Sequence, residues 1–485
     1  MIEISSTFSR RAFLAGCAVA ALPGVRRDPP TVRWVGETMS RAHRVLSGAF
    51  PTTSFEKEEK ARVVIVGAGP SGLAAAWRLL EAGVDDLLVL ELGEEPWGLL
   101  GRFRCGDAGL LPFGATEVDL GASSTGVVRR LAASAASSRP GDASTIPPRV
   151  VAVRRGDGGF VASTADSRTE SWIDRWVAAE EIAPDARASA AAAGATPEML
   201  RWLDLAVRRR FASKLADLDA APVKAFLDAR RRRPESFVAP VGGPGVWFDP
   251  VVARLGERLR PRQVVGLLGA ETDGLSVYAS DAARGLTTRI RASSVVLAVP
   301  AIVAMRLSAA ATASRPSLHA PESVTRFVAA VGVQRLPVGT EAPGTRIDAD
   351  DEDGTYATVH PTSGGAGFLV VRTAFPYRAT GPSRAFLTAL DYDTGRDLAL
   401  ERLRRVAGDV VPTRFDLWRV GHAGVRPGFG GGRGWVERTP MRKGVVPAGS
   451  DVSGMPGFDV AVASGVRGAQ EAVGIVPGSK EDWLS

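Results

Sequence analysis

The sequence predicts an α/β fold in two interleaved parts, one of them built on a parallel sheet, and three observations predict it. The run Val63-Val64-Ile65-Val66 is a short apolar strand, followed at once by three glycines in six residues and an Ala-rich helix. The run Ser294 to Val299 is continuous, apolar and rich in β-branched residues, and Pro300 ends it, as suits a strand covered on both faces of a parallel sheet. Near the end of the chain a strand at Gly444 to Pro447 precedes a small-residue helix at Asp459 to Val473. These pieces lie far apart in sequence, so the unit they form is discontinuous.

A chain of 485 residues exceeds the usual size of one core. The 60 Lys and Arg are spread along the chain and offset by 53 Asp and Glu, so the net charge of +7 makes no concentrated stripe for nucleic acid. The runs Arg208-Arg209-Arg210 and Arg230-Arg231-Arg232-Arg233 read as solvated helix faces. Two cysteines, Cys17 and Cys105, exclude a disulfide framework. His43, His319, His360 and His422 show no ligand spacing, so no metal site is expected. No transmembrane segment is expected either, because no stretch nears the ~20 apolar residues of a span.

From 196 to 232 a helical period runs through Met199, Leu200, Leu203, Leu205, Val207, Phe211, Leu215, Phe226 and Leu227, reading as a helical insertion. Val264 to Leu268 and Leu275 to Ala279 read as strands of a hairpin turned by Thr272-Asp273-Gly274. Residues 324 to 333 and 366 to 374 alternate like half-exposed strands of a second sheet, with the acidic loop Asp348 to Asp353 between them.

The glycine turn carries the first chemical signal. Gly67 permits a tight turn, Gly69 lets backbone approach a pyrophosphate, and Gly72 lets the helix pack on the strand. Pro70 and Ser71 open the helix, whose free N–H groups face the phosphates. A second strand, Leu87 to Leu90, ends in Glu91, 19 residues after Gly72, where a carboxylate accepts both adenosine ribose hydroxyls. Strand, glycines, helix, second strand and acid together read as a Rossmann-like dinucleotide site, without separating FAD from NAD.

The closing segment Ala448-Gly449-Ser450-Asp451, with Gly454, Gly457 and the helix through Val460 and Ala461 to Ala469, resembles that of flavoproteins of the amine oxidase and phytoene desaturase superfamily. Gly242-Gly243 before a helix at Phe248 to Leu259, Val265, and the strand Ala292 to Pro300 are similar to further segments of that family. The resemblance covers residues 61–475. It implies an FAD-binding domain from 61–130, 240–305 and 415–475 and an α+β substrate domain from 131–239 and 306–414. It implies that Asp451 and the Gly449 turn bind the flavin chain, that Val460 and Ala461 at the helix start face the isoalloxazine, and that Val265 meets adenine through its backbone. Leu92 to Gly114, ending in Leu111-Pro112-Phe113-Gly114-Ala115, matches a stretch that leads toward the flavin phosphates. Where the family has a Gly-Gly pair, this chain has Trp97-Gly98; Gly101-Arg102 then stands as an alternative source of the glycine and of a phosphate-pairing arginine.

The activity implied is hydride transfer from an amine or a carbon–carbon bond of a small molecule to FAD, with oxygen or a quinone as acceptor. Arg326 stands where many amine oxidases place a Lys, and it reads equally as a surface strand residue; an Arg stays protonated and cannot relay a proton. Trp418, His422 and Arg426 precede the last segment, where the family places aromatics beside the ring, and His422 is the titrating candidate. Tyr356 and Trp435 are weaker candidates for an aromatic wall. A non-redox protein of the same fold, such as an isomerase, and an exported binding or scaffold protein that lost its cofactor stay open beside the oxidoreductase.

At the N-terminus, Arg10-Arg11 and the run Ala15 to Leu22 resemble a twin-arginine export signal over residues 1–22, followed by an extended arm at 23–60. The same residues also read as an amphipathic helix. Arg41-Ala42-His43-Arg44 is similar to a segment of a twin-arginine-exported branch, which implies a periplasmic or secreted protein. Lipidation at Cys17 is disfavoured, because five residues between Arg11 and Cys17 are too few for a signal core of ~7–15 apolar residues.

Overall fold

The computed structural model describes residues 31–36, 55–105, 109–116, 118–119, 125–138, 145–146, 151–154, 160–162, 167–180, 183, 185–211, 213–232, 237–281, 283–310, 323–349, 354–375, 380–425, 427, 441–476, 479 and 482–484. The signal read at 1–22, most of the arm, Arg426 and Trp435 lie outside the described residues.

At the centre of the first sheet is the strand Lys57–Val66, flanked in parallel by Leu87–Leu90 and Thr287–Leu297. It starts six residues before Val63, inside the segment read as an arm. Its charged first half, Lys57 to Lys60, is held by cross-strand ion pairs, Glu58 to Arg291 at 2.9 Å and Glu59 to Arg260 at 2.7 Å. Leu259–Arg260 adds a parallel edge beyond Leu87–Leu90. The hairpin Gln263–Glu271 and Gly274–Asp281 continues the sheet antiparallel from the first half of Thr287–Leu297, and Val445–Pro447 pairs parallel with its second half. The chain thus re-enters this sheet late, as the closing segment implied.

Two helices lie against each other on one face of this sheet. Pro70–Glu81 is buried from Ser71 through Leu80, and the closing helix Phe458–Ala472 packs across it. Their approach depends on Gly465: a Cβ there would lie 2.0 Å from the Ser71 carbonyl oxygen. Below them Gly72 has the same role, since its Cβ would meet the Gly67 carbonyl oxygen at 1.8 Å.

The second sheet has eight strands, in the order Thr31–Trp34, Pro412–Val425, Ser323–Val333, Gly367–Phe375, Tyr356–Pro361, Arg346–Ala349, Val151–Arg154 and Phe160–Ala162. Thr31–Trp34, from the segment read as an arm, is its edge strand and runs parallel to Pro412–Val425. Arg33 there pairs with the fully buried carboxylate of Asp416. The strand Pro412–Val425 also crosses the boundary drawn at 415, so the chain leaves this sheet only after Val425.

The half-exposed reading of 324–333 and 366–374 is corrected: Ser323–Val333 is buried from Phe327 through Val333, and Gly367–Phe375 from Gly367 through Thr373. The reason is cover on both faces. Helices Thr380–Ala389 and Tyr392–Ala407 lie on one side, and Cys105, Leu111 and Phe113 from the first unit fill the other. A separate helical core contains Ser167–Ala178, Ala186–Ala192, Pro197–Phe211 and Ala220–Arg232, with Trp172 stacked on Trp176 at 5.4 Å. The single period from 196 to 232 is therefore two helices, broken between Phe211 and Ala220 by a 3-10 turn at Leu215–Asp217.

The run Arg208-Arg209-Arg210 is not wholly a solvated face. Arg208 is buried and pairs with Asp204, and Arg210 pairs with buried Asp459 of the closing helix at 2.9 Å. Arg210 thereby ties the helical piece to the closing helix. Among the described residues no helix is long and apolar enough to cross a membrane.

Gly465→Ala is expected to destabilise the fold by about 1–3 kcal/mol, because its methyl must displace backbone. Gly126→Ala, whose Cβ meets nothing within 4 Å in the helix Thr125–Ser138, is expected to be neutral or to stabilise by about 0.5–1 kcal/mol. Urea unfolding followed by circular dichroism checks both, and equal midpoints for the two variants would contradict the packing account.

Candidate functional site

The site begins at the glycine turn. Gly67 has φ +97, and a Cβ there would lie 2.4 Å from the Ala298 carbonyl oxygen. Gly69 caps Pro70–Glu81, and a Cβ on it would meet only the Gly98 Cα, at 3.9 Å, so the space over the helix start is open to a phosphate. Glu91 is buried at the end of Leu87–Leu90. Its two carboxylate oxygens accept from Ala68 N–H and Gly93 N–H, each at 2.7 Å. Those bonds fix the carboxylate beside the turn. Leu92 follows in a half-buried position, and Val265 is buried at a bulge in Gln263–Glu271, whose first N–H donates to the Glu91 carbonyl at 2.8 Å.

The loop over the turn contains Trp97, which stands where the sequence resemblance implied a glycine. Trp97 has φ +126, a backbone conformation suited to glycine, and no other described non-glycine residue except Arg262 has positive φ. Three contacts hold it there. Its N–H donates to the Ala68 carbonyl at 2.9 Å, its carbonyl accepts from Leu100 N–H at 2.8 Å, and its ring lies under the Arg102 guanidinium at 4.1 Å. Arg102 is buried and makes a two-point pair with Asp249 in the helix Asp249–Leu255, just after the Gly242-Gly243 turn. Its guanidinium thus holds the Trp97 loop against that helix.

The closing segment completes the other side. Gly449, with φ +156, donates its N–H to Ser464 Oγ at 3.0 Å, which pins the turn to the closing helix. Asp451 accepts from Ala301 N–H at 2.9 Å, and burial raises its pKa above the ordinary carboxylate range. Val460 and buried Ala461 stand in the first turn of Phe458–Ala472.

Between these elements and the second sheet lies a cavity of about 150 Å³. Pro70, Leu99 and Leu100 line it from the turn and its loop, Ser450, Gly457 and Ala461 from the closing segment, and Arg210, Phe226, Arg326 and Tyr356 from the second unit. The cavity therefore joins the N-terminal end of the dinucleotide helix to the face of the second sheet.

Of the three catalytic candidates, Arg326 lines this cavity and the other two do not. Trp418 is buried among Phe103, Phe113 and Val328, and its ring closes over Gly36 and Gly101, so it is packing between the two units. His422 sits at the bulge between Val420 and Gly424, with Nδ1 3.1 Å from Ser323 Oγ; its neighbours Ala423 and Gly424 line the cavity instead. Tyr356 forms part of the wall, with Arg346 and Arg372 over its ring at 4.7 and 5.7 Å.

Sequence reasoning missed Arg210 and Arg372. Arg210 follows Leu203 and Val207 at helical spacing, so the buried stripe of its own helix was the available signal. Arg372 lies directly across from Val328 and Tyr356 and donates to the carbonyls of Pro112 and Phe113 at 2.6 and 3.2 Å. Burial, with the charges of Arg326 and Arg346 adding to it, pulls its pKa down to about 10.

Because φ +126 strains any residue with a side chain, Trp97→Gly is expected to be more stable than Trp97→Ala by about 1–3 kcal/mol. This reverses the usual order of the two residues. Thermal unfolding of both variants reads it, and an alanine variant at least as stable as the glycine variant would show the backbone is unstrained.

Residues 65–124 match the family described as NAD(P)-binding Rossmann-like domain. Thiamine thiazole synthase of Aeropyrum pernix is 49% identical over 45 residues, 9% of this chain and 16% of that protein. Polyamine oxidase 1 of Zea mays is 42% identical over 62 residues, 13% of this chain and 11% of that protein. The chain thus spans under a fifth of either relative's length. Among solved structures, putrescine oxidase bound to putrescine superposes with a TM-score of 0.58 at 18% identity, covering 86% of this chain and all of that one. Reduced UDP-galactopyranose mutase superposes at 0.63 and 14% identity, covering 88% and 97%, and cyclohexylamine oxidase from Brevibacterium oxydans IH-35A at 0.57 and 15%, covering 85% and 98%. The chain therefore has the mixed α/β fold of the flavin amine oxidases, with a Rossmann-like domain at its glycine turn.

Proposed function

We propose that this protein is an FAD-dependent oxidoreductase that takes hydride from a carbon–hydrogen bond of a small molecule. One observation carries the reading: the closing segment brings Ser450, next to Asp451, and the start of Phe458–Ala472 to the same cavity that Pro70 of the dinucleotide helix lines. A site for NAD alone has no use for that second wall.

The residues present fit the cofactor. Gly67, Gly69, Pro70, Ser71 and Gly72 would hold the pyrophosphate at an open helix start, and Glu91 the ribose. Val265 would meet adenine. Gly449, Asp451, Val460 and Ala461 would hold the flavin end, beside the cavity. Arg102, committed to Asp249 and Trp97, would brace the loop near the phosphates and not pair with them directly. When bound, FAD supplies the hydride acceptor. Leu99, Leu100 and Phe226 exclude water from the cavity wall, and Arg326 supplies fixed positive charge without a proton to relay. The names of the similar oxidases point to an amine, and the sequence resemblance adds a carbon–carbon bond as the alternative, with oxygen or a quinone as acceptor.

A second reading is a non-redox flavoprotein of the same fold. Trp97 at a glycine position favours it, as does the likeness to UDP-galactopyranose mutase. We also carry export through the twin-arginine signal as a proposal: Arg10→Lys with Arg11→Lys is expected to leave precursor in the cytoplasm, and unchanged secretion would remove it.

Gly69→Trp is expected to abolish flavin uptake, and Asp451→Ala to weaken it about tenfold, the worth of one charge-assisted hydrogen bond. Flavin occupancy measured by visible absorbance checks this, and full occupancy in both variants would put the site elsewhere. Anaerobic mixing with amines, amino acids and polyenes is expected to bleach the bound flavin. Bleaching by none of them would favour the non-redox reading.

A further inference from the structure

The cavity wall contributed by the second unit carries one guanidinium, that of Arg326, without an answering acid among the described residues. Arg326 makes no hydrogen bond or ion pair among the described residues, and its Nε is buried with no partner. Arg372, one step along the sheet face, is fully buried and bonds only neutral groups: the carbonyls of Pro112, Phe113 and Val370 and the Thr358 hydroxyl. Arg210 lines the same cavity. Its guanidinium packs against Gly457 and is offset by Asp459, while its Nε is also buried without a partner. Among the described residues no Asp or Glu lines this cavity.

Tyr356 also lines a smaller cavity of about 80 Å³, where Arg208, Lys214 and Arg402 outnumber Asp217.

We infer that the substrate is an anion, bound through a carboxylate or a group of like charge and shape by Arg326 beside Arg210, and not a cationic amine. The inference rests on the proposed flavin site and names its substrate class. A protonated amine entering this cavity would meet like charge at Arg326 with no carboxylate to receive it. A carboxylate would accept the forked N–H donors of a guanidinium, a match that an ammonium on Lys would not give in the same way. The half-buried guanidinium, whose Nε is buried without a partner, is satisfied by the ligand.

The test uses the full chain loaded with FAD, titrated with benzoate, benzamide and benzylamine and with acetate, acetamide and ethylamine. Binding is followed by the flavin difference spectrum and by calorimetry. At least one carboxylate is expected to bind about tenfold or more tightly than its amide and its amine, as one charge-assisted pair provides. Arg326→Gln is expected to erase that preference with flavin occupancy unchanged. Arg326→Lys is expected to weaken carboxylate binding several-fold while still rejecting amines, and it carries the comparison if the glutamine variant does not fold.

Tighter binding of an amine, absence of binding by both carboxylates, or carboxylate binding untouched by Arg326→Gln would overturn the inference. The last result, joined to a shift in flavin reduction potential in the same variant, would assign Arg326 to the reduced flavin. A chain that takes up no FAD would sink the flavin reading alone, because calorimetry on the flavin-free protein still compares carboxylate with amine.

Discussion

Two helices from opposite ends of the sequence meet at Gly465 and Ser71, closer than any side chain would allow. The contact depends on the missing Cβ at Gly465, and the missing Cβ at Gly72 lets the dinucleotide helix sit on the turn that precedes it. It presses the closing helix onto the dinucleotide helix and so places the starts of both at one cavity. Asp451, Val460 and Ala461 have meaning as a site only because of this contact.

The second unit faces that cavity with a sheet whose central strands are buried on both sides. Most of its buried charged residues are held by partners within the protein. Asp416 is satisfied by Arg33, Arg414 and the Cys105 thiol, whose own pKa burial pushes up to about 12. Arg346 is satisfied by Asp348. Arg372 is satisfied by carbonyls of the loop at Pro112 and Phe113, which makes it a fastener between the units. Arg326 has no such partner, and it is the one of these arginines that lines the cavity. Position on a shared sheet face, and not proximity in sequence, separates the structural arginines from the one available to a ligand.

The dinucleotide half was legible because its constraints are local. A strand, three glycines, a helix and an acid at fixed spacing follow from how a backbone turns and approaches a phosphate, and they sit within thirty residues. The closing helix was legible by resemblance. The strands of the second sheet were legible but their burial was not, because Arg372 in Gly367–Phe375 looks like a solvent-facing position until the loop at Pro112 is laid over it. Trp418 was read as a ring neighbour for the same reason: its burial under Phe103 and Gly101 depends on residues some three hundred positions away. Arg210 was hidden in a basic run, and only its place on the Leu203–Val207 stripe distinguishes it. Trp97 was visible as a departure, and the structure adds its cause for concern, a backbone at φ +126.

The central claim is that one dinucleotide, and specifically a flavin, spans the glycine turn and the closing helix. Mass spectrometry and visible absorption of the ligand released when the purified chain is denatured test it most directly. The account predicts FAD, equimolar with protein either as isolated or after reconstitution. Release of NAD, or a colourless protein that takes up no added FAD, would contradict it.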